Sequence, residues 1–218
     1  MLDIGYDKKP GEYSGFELIS VEIQVFLADL SSQEAMPKTR SLAFLPASNN
    51  SVVFSVDYKN DVGVIINPQV ATLETQGFRS DHFVGHEMIA DNSWIDTKLT
   101  VCDFVAFPGF PPWHDKAEQR PIFRTGTISS DPRSNYSYSG QTEGQKIAYE
   151  AFSFGGSSGS PVFALQKGLE PGAGIKFNGY RECKLIGVNA GHLNHENIQH
   201  SGISYFFKSS VILELIDN

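Results

Sequence analysis

Short apolar runs separated by turn residues are the feature that most restricts the fold of this chain. In most of these runs an apolar side chain recurs at every second position, and Gly, Pro, Asn or Asp residues lie between the runs. This period is typical of β-strands. We predict strands at residues 21–27, 41–45, 52–56, 62–66, 99–107, 122–129, 147–152, 161–165, 185–190 and 203–207. The pattern predicts an all-β protein made of antiparallel barrels or a sandwich.

Two stretches have a helical pattern instead. Residues 81–90 show it weakly, and residues 208–216 show it at the C-terminus, where Ser209 or Ser210 can cap a short amphipathic helix. The polar stretch ADNSWIDTK, residues 90–98, lies between two apolar regions. It is predicted as the seam between two domains, residues 1–94 and residues 95–218.

Length and charge exclude several classes of protein. A chain of 218 residues, 40% of them hydrophobic, can bury a sizeable core without disulfides or metals. The net charge of -8 argues against a nucleic-acid partner, since binding phosphate needs an excess of Lys and Arg on one face. No apolar run approaches the roughly 20 residues that span a bilayer, so no membrane partner is expected.

The N-terminus and the cysteines bear on the compartment. The N-terminus has no basic segment followed by an apolar one, which predicts a cytoplasmic protein without a secretory signal. Cys102 and Cys183 lie in apolar, strand-like segments and are predicted to be buried free thiols. The oligomeric state is left open.

The run FGGSSGSPVF, residues 154–163, fits two catalytic templates. GGSSG, residues 155–159, matches the G-x-S-x-G elbow and would make Ser157 the nucleophile. GSSGSP, residues 156–161, matches the G-x-S-G-[GS]-P loop and would choose Ser158. The elbow needs a helix directly after it, whereas Pro161 and a β-rich segment follow here. We therefore predict that Ser158 is the nucleophile and that the amides of Gly156 and Ser158 bind an oxyanion.

Further motifs follow in an order that resembles the trypsin-like, chymotrypsin-fold serine peptidases, particularly their compact bacterial members, over about residues 50–216. They are NDVGVIINP (60–68), FVAFPGFPP (104–112), PIFRTGTISS (121–130), GSSGSP (156–161), CKLIGVNAG (183–191) and ISYFFKSSVILELI (203–216). The resemblance implies two perpendicular six-stranded antiparallel β-barrels and a short C-terminal helix. The first barrel is expected to be incomplete, and the catalytic site would lie between the two.

The resemblance also assigns roles to single residues. Asp61, in the first barrel, would be the acid, and Ser158, in the second barrel, the nucleophile. Phe152, six positions before Ser158, would form the floor of an apolar specificity pocket without preference for Lys or Arg. Val188, Asn189 and Ala190 would line the substrate cleft. A peptide or protein substrate is implied, with no cofactor.

The general base is the main departure from the family pattern. A serine needs an imidazole to take its proton, and the family's order is His, then Asp, then Ser. All six histidines follow Asp61: His82, His86, His114, His192, His195 and His200. Three explanations are open: the histidine precedes Met1, the chain is an inactive relative kept for binding, or His86 replaces the missing base. The first explanation is favoured.

Two other readings follow from the sequence. As an inactive relative, the chain would bind an extended peptide by strand addition beside residues 185–190.

The segment HLNHENIQH, residues 192–200, is rich in histidine but lacks the ligand spacing of known zinc sites. It is predicted to be a polar loop without a metal.

Overall fold

The computed structural model describes residues 20–25, 38–43, 54–65, 75, 77–78, 83–141, 143–169, 179–194 and 200–217. Two antiparallel two-stranded sheets come first along the chain. One pairs β1 (Ser20–Val25) with β2 (Lys38–Ala43), and the other pairs β3 (Phe54–Asp57) with β4 (Val62–Ile65). Within the described ranges these four strands form two separate sheets, and a first barrel is not seen there.

A closed six-stranded barrel follows. Its strands are β5 (Phe104–Gly109), β6 (Ile122–Ile128), β7 (Lys146–Glu150), β8 (Pro161–Ala164), β9 (Lys184–His192) and β10 (Ile203–Lys208). They are hydrogen-bonded in the order β10-β7-β6-β5-β8-β9, and every neighbouring pair is antiparallel. Each predicted strand segment overlaps one of the ten strands. The all-β prediction is therefore confirmed in coarser form, since the described chain is mostly β. The sheet closes into a barrel, which removes its edges.

The barrel core follows from the alternation along its strands. In β5, the side chains of Val105 and Phe107 point inward and are fully buried. Phe104, the first residue of the same strand, is exposed on the outside of the barrel. Phe107 meets Tyr149 edge to face with ring centroids 5.5 Å apart, and Tyr149 lies 5.7 Å from the ring of Phe206. These rings fill the barrel interior.

The predicted C-terminal helix is confirmed as α2, Ser210–Ile216. A small apolar cluster joins it to β4 and β10, formed by Val62, Phe207, Val211 and Leu215. Ser209 occupies the N-cap position, but its side chain makes no capping bond. Its hydroxyl instead donates to the Ala90 carbonyl at 2.5 Å, so it ties the start of this helix to the chain at residue 90.

Helix α1, Asn92–Lys98, occupies the segment predicted as a polar seam. Asp91 caps it by accepting from the Trp94 amide at 2.6 Å, and Ile95 is fully buried in the barrel cluster. The Ala90 amide donates to the Leu185 carbonyl at 2.8 Å. The segment therefore packs against the barrel, and the predicted boundary between residues 94 and 95 falls inside a helix.

Two local predictions were wrong. The helix predicted over residues 81–90 is a single 3-10 turn, His86–Met88, in the described part of that segment. Cys102 and Cys183 are exposed free thiols instead of buried ones. Cys102 lies at the corner of the turn before β5 with φ of 69°, where the side chain points outward.

An ion-pair network closes one end of the barrel. The buried Asp103 carboxylate binds Arg181, accepts from Lys167 Nζ at 2.9 Å, and accepts from the Thr100 amide at 2.7 Å. Burial opposes ionisation of this carboxyl, but the bonds from Lys167 and Thr100 and the charge of Arg181 lower its pKa below the ordinary value. Arg181 also donates to the Leu165 carbonyl at 2.7 Å. The network ties the start of β5 to the end of β8.

Candidate active site

The serine loop, residues 154–160, joins β7 to β8 at the other end of the barrel. Gly156 and Gly159 have φ of 90° and 79°, in the left-handed region that favours glycine. A Cβ at position 156 would lie 2.1 Å from the Phe110 carbonyl oxygen, so no side chain fits there. The loop is fixed to the end of β5 by a bond from the Phe110 amide to the Gly156 carbonyl, 2.9 Å.

The two serines that the templates proposed lie in opposite environments. Ser157 is 1% exposed, and its hydroxyl has no hydrogen-bond partner among the described residues. Ser158 is exposed, and its Oγ donates to the Ala190 carbonyl at 3.4 Å. Strand β8 begins at Pro161 directly after the loop, as the G-x-S-G-[GS]-P template requires. Accessibility therefore favours Ser158.

The backbone amides of the loop differ in whether they are hydrogen-bonded. The Ser157 amide donates to the Phe154 carbonyl at 2.9 Å, and the Gly159 amide donates to the Asn189 carbonyl at 2.7 Å. The amides of Gly156 and Ser158, in contrast, donate to no acceptor among the residues that the structure describes. These are the two amides predicted to bind an oxyanion. Their availability is a condition for that role.

Asn189 is the residue that fixes the loop from below. Its Nδ2 donates to the Ser157 carbonyl at 2.8 Å, and its Oδ1 accepts from the Tyr149 hydroxyl at 2.6 Å. Its backbone amide donates to the Ser160 carbonyl at 2.8 Å. The side chain is 1% exposed, so a residue predicted to line the substrate cleft is bonded to the loop itself. Tyr149 carried no sequence signal because it looks like any other buried strand residue.

An aromatic cluster lies beside the loop. Phe152 is 57% exposed, stacks on Phe154 at 6.4 Å, and lies 4.9 Å from the His200 ring. Arg124 sits over the rings of Phe154 and Trp113, at 4.7 and 5.4 Å, and donates to the Phe152 carbonyl. Phe152, predicted to form the pocket floor, is thus an exposed aromatic ring, and the Arg124 guanidinium binds its backbone carbonyl. Sequence reasoning did not find Arg124, because it lies on β6, 28 positions from Phe152 in the chain.

His200 is bound into this cluster. Its Nε2 accepts from the Ser153 amide at 3.1 Å, its Nδ1 lies 2.9 Å from the Gly202 amide, and its ring stacks on His192 at 4.2 Å. A ring nitrogen that accepts a hydrogen bond carries no proton, so this environment needs neutral imidazole. Burial lowers the pKa of His200, and the charges of His192 and Arg124 lower it further. His200 is therefore a structural residue of the cluster.

Asp61, the predicted acid, lies at the tip of the β3–β4 hairpin. It is exposed and has φ of 52°. The next residue on the N-terminal side, Asn60, is buried, and its Oδ1 accepts from the Gln145 amide at 2.6 Å. The hairpin tip is therefore attached to the chain just before β7. Whether Asp61 orients a base stays a prediction.

The general base is missing from the described surroundings of Ser158. No histidine nitrogen in the described ranges lies within hydrogen-bond distance of Ser158 Oγ. His86 lies three residues before Ile89, which bridges to Leu185 near the start of β9. Ala190, beside Ser158, is five residues further along that strand, or about 16 Å. His86 is thus a poor substitute for the base, and His82 and His195 lie outside the described residues.

The described residues show neither a cluster of metal-ligating side chains nor a membrane-spanning helix. Among the described residues no group of three or more His, Cys, Asp or Glu side chains is arranged to hold a metal ion. His195 and Glu196, in the histidine-rich segment, lie outside the described ranges. In the described part of the chain, no helix has the length and apolar character needed to cross a bilayer.

No protein-family model matches the chain, and no curated protein matches it closely.

Proposed function

We propose that this chain is the serine-bearing part of a trypsin-like serine endopeptidase, which hydrolyses peptide bonds through an acyl-enzyme on Ser158. The observation that carries the proposal is the serine loop: an exposed serine is followed by a strand, and the amides of Gly156 and Ser158 donate to no acceptor among the described residues. In this family two barrels of six strands each would form the site. The closed barrel described above would be the second of them.

The proposed chemistry assigns a step to each group. Ser158 Oγ attacks the carbonyl carbon of the substrate while its proton passes to an imidazole. The carbonyl oxygen becomes an oxyanion, which the amides of Gly156 and Ser158 stabilise. The protonated imidazole then gives its proton to the leaving amine, and water releases the acyl group by the same steps. The imidazole would be supplied by a histidine outside the described residues and oriented by Asp61.

Substrate binding is proposed at the last part of β9. β8 pairs with β9 from Lys184 to Val188, so that stretch has no free edge for strand addition. Ala190 to His192 extend beyond β8 and run past Ser158. An extended peptide would lie along this part of β9, with one side chain toward Phe152. A Lys or Arg side chain there would meet the Arg124 cation, which argues against a basic preference.

A mutant pair tests the peptidase. A form of the protein that carries the proposed histidine is incubated with a fluorophosphonate probe and with a library of quenched peptides, and Ser158→Ala is compared with the matched control Ser157→Ala. We expect labelling and hydrolysis in the wild type and the control, and a loss of at least about 10⁴-fold in Ser158→Ala. Hydrolysis that survives Ser158→Ala would contradict the proposal, as would efficient cleavage after Arg for the proposed specificity.

A peptide-binding module is the second candidate, because no described histidine contacts Ser158. It predicts no labelling and no hydrolysis, together with saturable binding of extended peptides. Substituting Ala190→Pro should then weaken binding, since proline removes a backbone donor from the free part of β9. Binding that Ala190→Pro leaves unchanged would exclude this use of the strand.

A further inference from the structure

The peptide between Ser157 and Ser158 is held on one side only. Its carbonyl accepts from Asn189 Nδ2 at 2.8 Å and from the Ser160 amide at 3.2 Å, so both lone pairs of that oxygen are used. In a trans peptide the N–H points away from the C=O. Fixing the Ser157 carbonyl therefore also fixes the direction of the Ser158 N–H, which is one of the two proposed oxyanion donors.

The orientation of the Asn189 amide is determined by its neighbours. The Ser157 carbonyl can only accept, so it requires the NH₂ group of Asn189 on its side. The Oδ1 atom then faces Tyr149, whose hydroxyl must donate. Burial raises the pKa of the Tyr149 hydroxyl well above its ordinary value, which keeps its proton in place. The ring itself is fixed between Phe107 and Phe206.

We propose that Tyr149 and Asn189 are positioning residues that form a hydrogen-bond relay to the oxyanion donor of Ser158. The relay runs from the Tyr149 hydroxyl through the Asn189 amide to the Ser157 carbonyl, and the polarised peptide presents the Ser158 N–H. This inference rests on the proposed peptidase function. Neither side chain touches substrate, since both are buried in the barrel.

The relay has two physical effects. It holds the Ser158 N–H in one direction before substrate arrives, so no reorganisation is needed when the oxyanion forms. It also strengthens that donor, because successive hydrogen bonds through amide groups polarise one another by about 10 to 30% per bond. Both effects act on the transition state, so losing the relay should lower kcat more than it changes KM.

Two variants and their combination test the relay. Tyr149→Phe removes the hydroxyl and keeps the ring, and Asn189→Leu removes both amide contacts at similar volume. Ile147→Val, in the core of the same strand, is the matched control for lost packing. We expect kcat and the rate of fluorophosphonate labelling to fall about 10-fold to 100-fold in Asn189→Leu and less in Tyr149→Phe. KM should stay within about 2-fold.

The double variant separates a relay from two independent structural roles. In a relay, Tyr149→Phe adds nothing once Asn189→Leu has cut the chain, so the double variant should equal Asn189→Leu. Losses that multiply, or losses confined to KM, would overturn the inference. If Asn189→Leu does not fold, Tyr149→Phe against Ile147→Val still decides it.

A catalysis-independent measurement distinguishes failure of the relay from failure of the proposed function. The amide proton shift of Ser158 in ¹H–¹⁵N spectra should move upfield in Tyr149→Phe and stay in place in Ile147→Val, because a less polarised N–H is a weaker donor. A wild type that neither labels nor cleaves would contradict the peptidase function. The relay would still be supported in that case if the Ser158 amide proton shift moved in Tyr149→Phe. An unmoved Ser158 shift overturns the relay whatever the activity.

Discussion

The two ends of the barrel each carry a buried polar network, and the two networks differ in what they leave unused. At the end where β5 begins, Asp103, Arg181 and Lys167 form a charged network with Thr100. At the other end, Asn189 and Tyr149 hold the serine loop with neutral hydrogen bonds. The charged network uses its polar groups on one another, whereas the neutral one holds the loop in place. It leaves Ser158 exposed, and the amides of Gly156 and Ser158 donate to no acceptor among the described residues.

The comparison separates stability from chemistry. Buried charges are costly to unpair, so the charged end should govern folding. The serine loop contributes few ion pairs, but its geometry determines where an oxyanion could bind. Substitutions at the charged end should therefore leave the reactivity of Ser158 nearly unchanged, and substitutions in the serine loop should leave the free energy of unfolding nearly unchanged. Four experiments test this separation of stability from chemistry.

The largest effect is expected at the charged end. Asp103→Asn leaves the buried Arg181 without its counter-charge, and we expect a loss of about 3 to 5 kcal/mol in the free energy of unfolding. Urea denaturation measures it. The matched control is Asp131→Asn, whose partner Arg133 lies 2.8 Å away on the surface, and its effect should be much smaller. A changed labelling rate at Ser158 in folded Asp103→Asn would contradict the separation of stability from chemistry.

At the serine loop, Gly156→Ala should cost function. A Cβ there would collide with the Phe110 carbonyl, and φ of 90° is strained for alanine, so the oxyanion amides must move. We expect fluorophosphonate labelling to fall about 100-fold or more. Gly155→Ala is the matched control, since its Cβ would meet nothing within 4 Å. Equal labelling rates in the two variants would refute the assigned role of Gly156.

Acid should weaken the aromatic cluster through His200. The folded protein lowers the pKa of this imidazole, so below pH 6.5 the unfolded chain binds more protons than the folded one. Stability should fall as the pH drops from 6.5 toward the lowered pKa, by at most about 1.4 kcal/mol per pH unit. His200→Asn should remove this part of the pH dependence in thermal unfolding. An unchanged slope would contradict the neutral role of the ring.

The smallest effect is expected at Ser157. Its buried hydroxyl has no partner among the described residues, so Ser157→Ala should be neutral or stabilising by up to about 1 kcal/mol. Ser204→Ala is the matched comparison, because the equally buried Ser204 hydroxyl donates to the Ala151 carbonyl at 2.8 Å. That variant should lose about 1 to 3 kcal/mol. If calorimetry shows a larger loss of stability in Ser157→Ala than in Ser204→Ala, the Ser157 hydroxyl must make a hydrogen bond, which would contradict the prediction.

Local patterns predicted the strands well because burial in a sheet alternates along the chain. The choice of Ser158 over Ser157 also followed from local residues, since Pro161 excludes a helix there. The same reasoning did not find helix α1 within the polar residues 90–98, because Ile95 is its one buried side chain and Trp94 packs against the core only partly buried. It failed for Cys102 as well, since a turn with positive φ directs that thiol to solvent.

The sequence by itself determined the mostly β class, the strand segments, the C-terminal helix and the glycine-rich loop with its serine. Each of these depends on residues adjacent in the chain. Only the tertiary structure decided that Asn189 and Tyr149 support the loop, that Arg124 lies behind Phe152, and that Asp103 meets Arg181. These contacts join residues 28 to 78 positions apart, and side chains brought together by barrel closure leave no local pattern.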